Sequence, residues 1–573
     1  MKKKWSFLFL SVICVLNTFA WEREYVWPSK KMPHFQKHQI ALMANELSRE
    51  GNNNIAYLEW FDKPIISNNG CMILISGGSY NHCCDFHLIN MWREQLTKLG
   101  FQCVNLVYRT PRPVGIPFYQ TAWEDGQRAV RIVRSEAKKR GFDSEKIGVI
   151  SMSAGSHLAL LLATSSQTPA YEKIDRLDSI SSHLNWAIVN APAYITTDAQ
   201  DGTPASRDGY GPDVKLVDIL KFDAKTCPMT LQHGGKDIYS PNGSTLIYRK
   251  LRKMGIPAEL HLYPNLGHGA YGFDRAVEFM KQMGFLGAID DPVNLMHRYN
   301  NDNERASYLK ESIWPTGKMP NTMKSQDIPY IEWHFPRNLK TKAIQIIFSG
   351  GSYNNSNPDD YEVAPARRYL NEKGMTVVTL KYRTPRPSKE SGLAKHTTAW
   401  QDLQRTIRIV RHEATARGLD PNKIGVMGSS AGGHLACMGI TNSCQRSYLP
   451  IDDIDQIPCN VQWGICMYPA YLLTDGYDMC NTTGGNEDST ALVNELNFDK
   501  NTVPALFIHG DADSWSAMNS VKAWEHMRSM GIQCELHTLA KRKHCFQSMA
   551  SPETGSYNFL ERIGKFIDKM IDE

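Results

Sequence analysis

Beyond its first twenty residues the chain has no apolar run long enough to cross a bilayer, and no cysteine–histidine spacing of the zinc-binding kind. A multi-span membrane protein and a metal-stapled small fold are therefore set aside. Net charge is also slight. The formal value is +5 over 573 residues, and it falls to +2 if Lys2, Lys3 and Lys4 leave with a leader. Such a balance makes no case for nucleic-acid binding, and Lys541-Arg542-Lys543 reads as a solvated loop. Cysteine is sparse, thirteen in all with Cys14 in the leader, far from the density of a small disulfide scaffold. Cys83-Cys84 and Cys545 read as buried or disulfide-bonded, with pairings that spacing does not reveal.

What is present begins with that leader. Lys2 to Lys4 precede an apolar run over 5–16, and Thr18-Phe19-Ala20 places small residues at the −3 and −1 positions. This is the pattern of a secretory signal peptide cut after Ala20, and it predicts a secreted or periplasmic protein free of the membrane after cleavage. A length of 573 residues with 42% apolar and 10% aromatic content fits two or more globular domains.

The sequence then repeats itself. Ile55-Ala56-Tyr57-Leu58-Glu59-Trp60 returns as Ile328-Pro329-Tyr330-Ile331-Glu332-Trp333, and SGGSY at 76–80 returns at 349–353. YRTPRP occurs at 108–113 and 382–387, and TAWEDGQRAVRIVR from Thr121 matches TAWQDLQRTIRIVR from Thr398. The copies lie 273 to 277 residues apart, too far for a solenoid repeat, so they are two homologous domains in tandem. The expected division is a signal peptide at 1–20, a first domain at 21–290, a polar linker at 291–310 and a second domain at 311–573. Strands are expected at 72–75, 103–107, 147–150, 186–189, 229–232 and 258–263, with helices at 91–99 and 123–139. That alternation predicts an α/β fold in each half, a mostly parallel sheet flanked by helices.

Chemistry sits at matching places. GVMGSSAGGHLA at 425–436 carries Gly428-Ser429-Ser430-Ala431-Gly432, a nucleophile elbow in which small neighbours at −2 and +2 let strand and helix converge. The first copy has Ser151-Met152-Ser153-Ala154-Gly155, where serine replaces the −2 glycine. A serine needs a base, and the base an acid that fixes its tautomer. Chain order points to Asp237 and His268 for Ser153, and to Asp513 and His544 for Ser430, at offsets of 276 or 277 between copies. Donors for an oxyanion are expected from Ala154 or Ala431 and from the glycine loops, Gly78 and Ser79 or Gly351 and Ser352. His233 and His509, four residues before the aspartates, are expected to support the acid loops. Asp125, Gln127 and Arg128, with Asp402, Gln404 and Arg405, are read as structural. No metal and no organic cofactor are expected.

These motifs, with P-A-Y at 192–194 and 469–471 and H-G-x-x-D at 233–237 and 509–513, resemble the α/β-hydrolase fold carbohydrate esterases of the acetylxylan and feruloyl type. The resemblance covers nearly the whole mature chain, twice. It implies a serine esterase that removes acyl groups from plant polysaccharide, such as acetyl groups from xylan, with an acylated poly- or oligosaccharide as its partner. The chain departs from the family at Ser76 and Ser349, where His or Pro often leads the oxyanion glycines. It departs again at Ser151 and Ser156, and at Lys543-His544-Cys545, which lacks flanking glycines. About 38 residues separate P-A-Y from H-G-x-x-D in each copy, too few for a large lid. The competing readings are a prolyl-oligopeptidase-like peptidase, which lacks room for a propeller here, and a chain in which one half is a non-catalytic carbohydrate-binding or structural partner. Acyl group, sugar backbone and oligomeric state are not legible.

Overall fold

Residues 22–28, 31–34, 55–83, 86–199, 214–286, 308–442, 445–474, 490–546 and 559–572 are described by a computed structural model. The expected leader, Cys84, most of the expected linker and parts of the stretches judged too short for a lid lie outside them.

Apolar runs buried on both faces belong inside a parallel sheet. The first half forms β1 (Glu22–Tyr25), β2 (Tyr57–Trp60), β3 (Cys71–Ile75), β4 (Gln102–Val107), β5 (Ile147–Met152), β6 (Trp186–Asn190), β7 (Met229–Gly234) and β8 (Ala258–Tyr263). Their order across the sheet is 1-2-4-3-5-6-7-8; β3 to β8 run parallel, and β1 and β2 turn antiparallel at the edge. Helices α1 (Phe86–Lys98), α2 (Gln120–Arg140), α3 (Ala154–Thr164), α4 (Asn242–Lys253) and α5 (Phe273–Met283) cover its faces. The second half repeats the plan with β9 (Tyr308–Ser312), β10 (Tyr330–His334), β11 (Ile344–Phe348), β12 (Thr376–Lys381), β13 (Ile424–Ser429), β14 (Trp463–Met467), β15 (Ala505–Gly510) and β16 (Cys534–Leu539). Its helices are α6 (Ala364–Glu372), α7 (Thr397–Ala414), α8 (Ala431–Thr441), α9 (Met518–Ser529) and α10 (Phe559–Asp572). This is the expected α/β-hydrolase architecture, twice.

All six strands expected in the first half form, within two residues at each end. The helix expected over 91–99 starts at Phe86, because the buried stripe Leu88, Ile89, Trp92 and Leu96 begins a turn earlier than the sequence suggested. Residues 308–310, expected in the linker, belong to β9, which pairs with β10. β1 and β9 are largely exposed and charged, as edge strands are, and that polarity hides them from a search for apolar runs.

The two sheets do not end separately. β8 pairs antiparallel with β16 at Leu260↔Thr538, His261↔His537 and Leu262↔Leu536, giving one sheet of sixteen strands. An open parallel edge on each half exposes unpaired N–H and C=O groups, and this pairing covers both. The seam buries a polar line, Glu259–His261···His537–Glu535, with contacts of 2.9, 2.8 and 2.6 Å. Alternation along the strands sorts the core by face. Ile73 and Ile75, with Ile344 and Ile346, belong to one apolar cluster that runs through both halves. Met72 and Leu74 belong to a cluster under α5, and Ile347 to a separate one under α10.

Candidate active sites

Each site starts at a strand end. Only Ser153 separates β5 from α3, at φ 59° and ψ −125°, and only Ser430 separates β13 from α8, at φ 55° and ψ −119°. A non-glycine residue in this region stores about 1–3 kcal/mol and persists only where the surroundings dictate it. The surroundings are tight here. A Cβ on Gly155 lies 2.4 Å from the Ser76 carbonyl, and one on Gly432 lies 2.5 Å from the Ser349 carbonyl. At the −2 position, a Cβ on Gly428 meets the Gly432 carbonyl at 2.1 Å and the Phe348 ring at 2.5 Å.

The first half places Ser151 there, with Ile75 in the position of Phe348. Ser151 Oγ is 3.0 Å from Ser156 Oγ and 3.2 Å from the Ile188 carbonyl. Ser156 Oγ is itself 2.7 Å from the Asn190 carbonyl and accepts the Asn190 N–H at 3.1 Å. Ser156 stands where the second half has Gly433. Two glycines are thus exchanged together for a hydrogen-bonded pair of serines, and Ser153 keeps the same backbone geometry as Ser430.

The six residues expected for the chemistry come together in two sets of three. Ser153 Oγ donates to His268 Nε2 at 2.7 Å, and His268 Nδ1–H faces both Asp237 oxygens at 2.9 Å. Ser430 Oγ and His544 Nε2 lie 2.7 Å apart, and His544 Nδ1–H faces the Asp513 oxygens at 2.9 and 2.8 Å. The aspartates are buried while the imidazole edges reach solvent. Burial pushes the Asp237 carboxyl up, but hydrogen bonds from His233 and His268 outweigh it and hold the group below the usual carboxylate range. Asp513 is held down in the same way by His509 and His544.

His233 bonds Ser244 Oγ and the Tyr239 carbonyl, and His509 bonds Ser520 Oγ and the Trp515 carbonyl. Both support the acid loops and stand away from the serines. Asp125 receives the backbone and guanidinium N–H of Arg109 and the indole N–H of Trp27. Arg128 grips Asp175 and Asp178, and Gln127 bonds the Thr168 carbonyl, so this helix face is structural.

The glycine loops pass directly over the serines. A Cβ on Gly77 lies 2.7 Å from Ser153 Cβ, and one on Gly350 lies 2.8 Å from Ser430 Cβ. Gly78, Ser79 and Tyr80 have φ of 123°, 55° and 60°, and Gly351, Ser352 and Tyr353 have 91°, 55° and 61°. Successive residues at positive φ lift the loop off the sheet and expose its N–H groups. Ala154 and Ala431 open their helices, where backbone N–H groups have no intrahelical acceptor.

The halves then differ around the triads. In the second, buried Glu362 accepts the Gly350 N–H at 2.5 Å and the Tyr468 hydroxyl at 2.9 Å. Burial pushes its carboxyl up, against those two donors. Cys545 stands beside His544 with its Sγ 4.0 Å from Glu362. Burial disfavours the His544 imidazolium, but contacts with Asp513 and Cys545 more than offset this and lift it to about 10. The first half has Ala191 and Gly269 where the second has Tyr468 and Cys545. Comparing the copies for what they share finds the serines and hides Glu362. Cys83 is buried and Cys545 partly buried, and neither forms a disulfide among the described residues.

Two stretches of the chain, residues 64–192 and 332–458, match the BD-FAE family. Each match takes in an elbow serine and stops before the acid and histidine. The chain is 27% identical over 206 residues to an endo-1,4-beta-xylanase B of Butyrivibrio fibrisolvens, covering 35% of this chain and 32% of that one. It is 27% identical over 220 residues to an acetylxylan esterase of Xylanibacter ruminicola, covering 37% and 42%. The aligned stretches thus span less than half of either relative. Similar solved structures include an acetyl ester-xyloside bifunctional hydrolase from Caldicellulosiruptor lactoaceticus, at 22% identity, 46% and 97% coverage and a TM-score of 0.37. A propionate-bound thermophilic esterase from Thermogutta terrifontis matches at 21% identity, 43% and 90% coverage and a TM-score of 0.35.

Proposed function

We propose that the protein is an exported serine esterase of the α/β-hydrolase fold with a working site in each half, a reading that the BD-FAE match in each half supports. Ser153 or Ser430 attacks the ester carbonyl while His268 or His544 takes the hydroxyl proton. Asp237 or Asp513 holds the imidazole in the accepting tautomer and stabilises the imidazolium. The carbonyl oxygen becomes an oxyanion facing the N–H groups of Ala154, Gly78 and Ser79, or of Ala431, Gly351 and Ser352, each donor contributing about 3–4 kcal/mol by precedent in other enzymes. The histidine returns its proton to the departing sugar hydroxyl. Water, deprotonated by the same histidine, then releases the acid and restores the serine.

The observation that carries this reading is the 2.7 Å contact from serine to histidine, made in both halves together with a buried aspartate. The relatives named as an acetylxylan esterase and a xylanase favour an acylated plant polysaccharide such as xylan, with acetyl as the group removed. The leader pattern supports export, and the working division is a domain at 21–290 and another at 311–573.

The test compares Ser153→Ala, Ser430→Ala and the double variant on an aryl acetate and on acetylated xylan, with mass spectrometry of the acid released. Loss of an elbow serine is expected to cost its own site at least about 1,000-fold. Each single variant should retain activity and the double variant none, with acetate as the product. Full activity in the double variant overturns the assignment. A Ser153→Ala chain unchanged on every ester makes the first half a non-catalytic partner.

A further inference from the structure

Around the elbow helices the two halves differ in a coordinated way. His157 and His434 hold equivalent places four residues after the serine, and each contacts through Nδ1 the tyrosine of its glycine loop, Tyr80 at 2.8 Å and Tyr353 at 2.7 Å. In the first half the His157 ring sits among Phe118, Tyr119 and Tyr194, with centroids 6.0, 5.4 and 6.2 Å away. In the second half the positions of Phe118, Tyr119 and Ile219 are taken by Lys395, His396 and Glu495.

Three atoms of that replacement set converge. Glu495 Oε1 lies 3.5 Å from His434 Nε2 and 3.9 Å from His396 Nδ1, and all three atoms lie within 4.8 Å of one another. Each is buried with no hydrogen-bond partner among the described residues, and the His434 side chain is fully buried. Buried polar atoms are ordinarily paired, so three orphans pointing at one spot call for a common partner.

We infer that His396, His434 and Glu495 bind a divalent transition-metal ion of the zinc class. Two imidazole nitrogens and one carboxylate oxygen form a donor set that suits this class. Ligands about 2.0–2.1 Å from a tetrahedral ion stand about 3.4 Å apart, close to the two carboxylate–imidazole spacings seen. The Tyr353 hydroxyl, as acceptor of His434 Nδ1–H, fixes the tautomer that turns the Nε2 lone pair toward the ion, the usual outer support of a histidine ligand. Lys395 is the neighbouring cation, with Nζ 3.9 Å from the centre of the Tyr471 ring. Its charge opposes a bare dication and suits a hydroxide or other anion in the fourth position. The ion joins the start of α7 to the elbow helix α8 and, through Tyr353, braces the glycine loop of the second half only. The ligands are 38 and 61 residues apart in the chain, so no local spacing betrays them.

The test strips the full chain with chelator, titrates it with zinc alone and counts bound metal after dialysis, with cobalt absorption as a second readout. One equivalent per chain and the visible bands of tetrahedral cobalt are expected. His396→Tyr and Glu495→Ile install the first half's own residues, and Glu495→Gln keeps the shape of the native side chain. Each should weaken binding at least about 100-fold. Substoichiometric zinc on the parent chain, or parental affinity in His396→Tyr and Glu495→Gln, overturns the site. The readout is metal content without substrate, so it stands or falls separately from the esterase reading.

Discussion

A thiol beside the proposed base changes the pH at which that base can accept a proton. His544 is lifted to about 10 with Cys545 among the causes, whereas the first half has Gly269 at that place. A raised value means the imidazolium persists as pH climbs, and only the neutral ring can take the serine proton. The second site, isolated in a Ser153→Ala chain, is therefore expected to gain kcat/KM as pH rises toward about 10. Cys545→Gly should move the second profile down. An unchanged midpoint in Cys545→Gly, measured with an aryl acetate in the Ser153→Ala chain, contradicts this account. Buried Glu362 faces the same base: the charge of His544 works to lower its carboxyl against the burial that raises it. Ser151 gives the contrasting lesson. The serine that replaces the −2 glycine is matched by Ser156, and the turn keeps the backbone geometry of the second elbow.

At the scale of elements, the helix before each elbow is pinned by one buried arginine. Arg109 Nε reaches Asp125 at 2.8 Å and Nη2 reaches Glu124 at 2.8 Å, with both partners fully buried. Arg383 repeats the contact with Asp402 at 2.9 Å. Removing one partner strands a charge in the core, at a cost of about 3–5 kcal/mol. Arg109→Met should lower the urea midpoint by a corresponding amount, while Arg109→Lys recovers part of it. A midpoint equal to the parent's is the contrary result. Much at this scale was legible. The run Met72 to Ile75 and the stripe of α2 announce themselves by period, and β8 forms where its alternation predicts. The edge strands were not, because four or five mostly exposed residues carry no such pattern. Nor was the pairing of β8 with β16, which depends on two edges 276 residues apart. Duplication exposed the shared serines, acids and histidines and concealed Glu362, His396 and Glu495, which one copy alone possesses.

For the whole molecule, the antiparallel seam sets the two halves head to tail. The carboxyl ends of β5 and β13, and with them Ser153 and Ser430, therefore lie at opposite ends of the strands. The halves nonetheless hold each other's acid loops. Arg252 of α4 donates to Asp511 Oδ1 at 2.7 Å in the loop leading to Asp513, and Arg528 of α9 donates to the Gly235 carbonyl at 2.6 Å in the loop leading to Asp237. A crossed dependence is expected. Arg252→Ala should slow the second site by about 10- to 100-fold and spare the first, and Arg528→Ala should do the reverse. Measured on Ser153→Ala and Ser430→Ala backgrounds, a loss confined to the half that carries the mutation contradicts the brace.

The central claim is that one chain holds two reactive serines. Intact-mass analysis after exhaustive treatment with a fluorophosphonate counts them directly. The account predicts two adducts on the parent chain, one at Ser430 in Ser153→Ala and one at Ser153 in Ser430→Ala. A parent chain that takes fewer than two adducts, or takes one at a residue other than these serines, contradicts it.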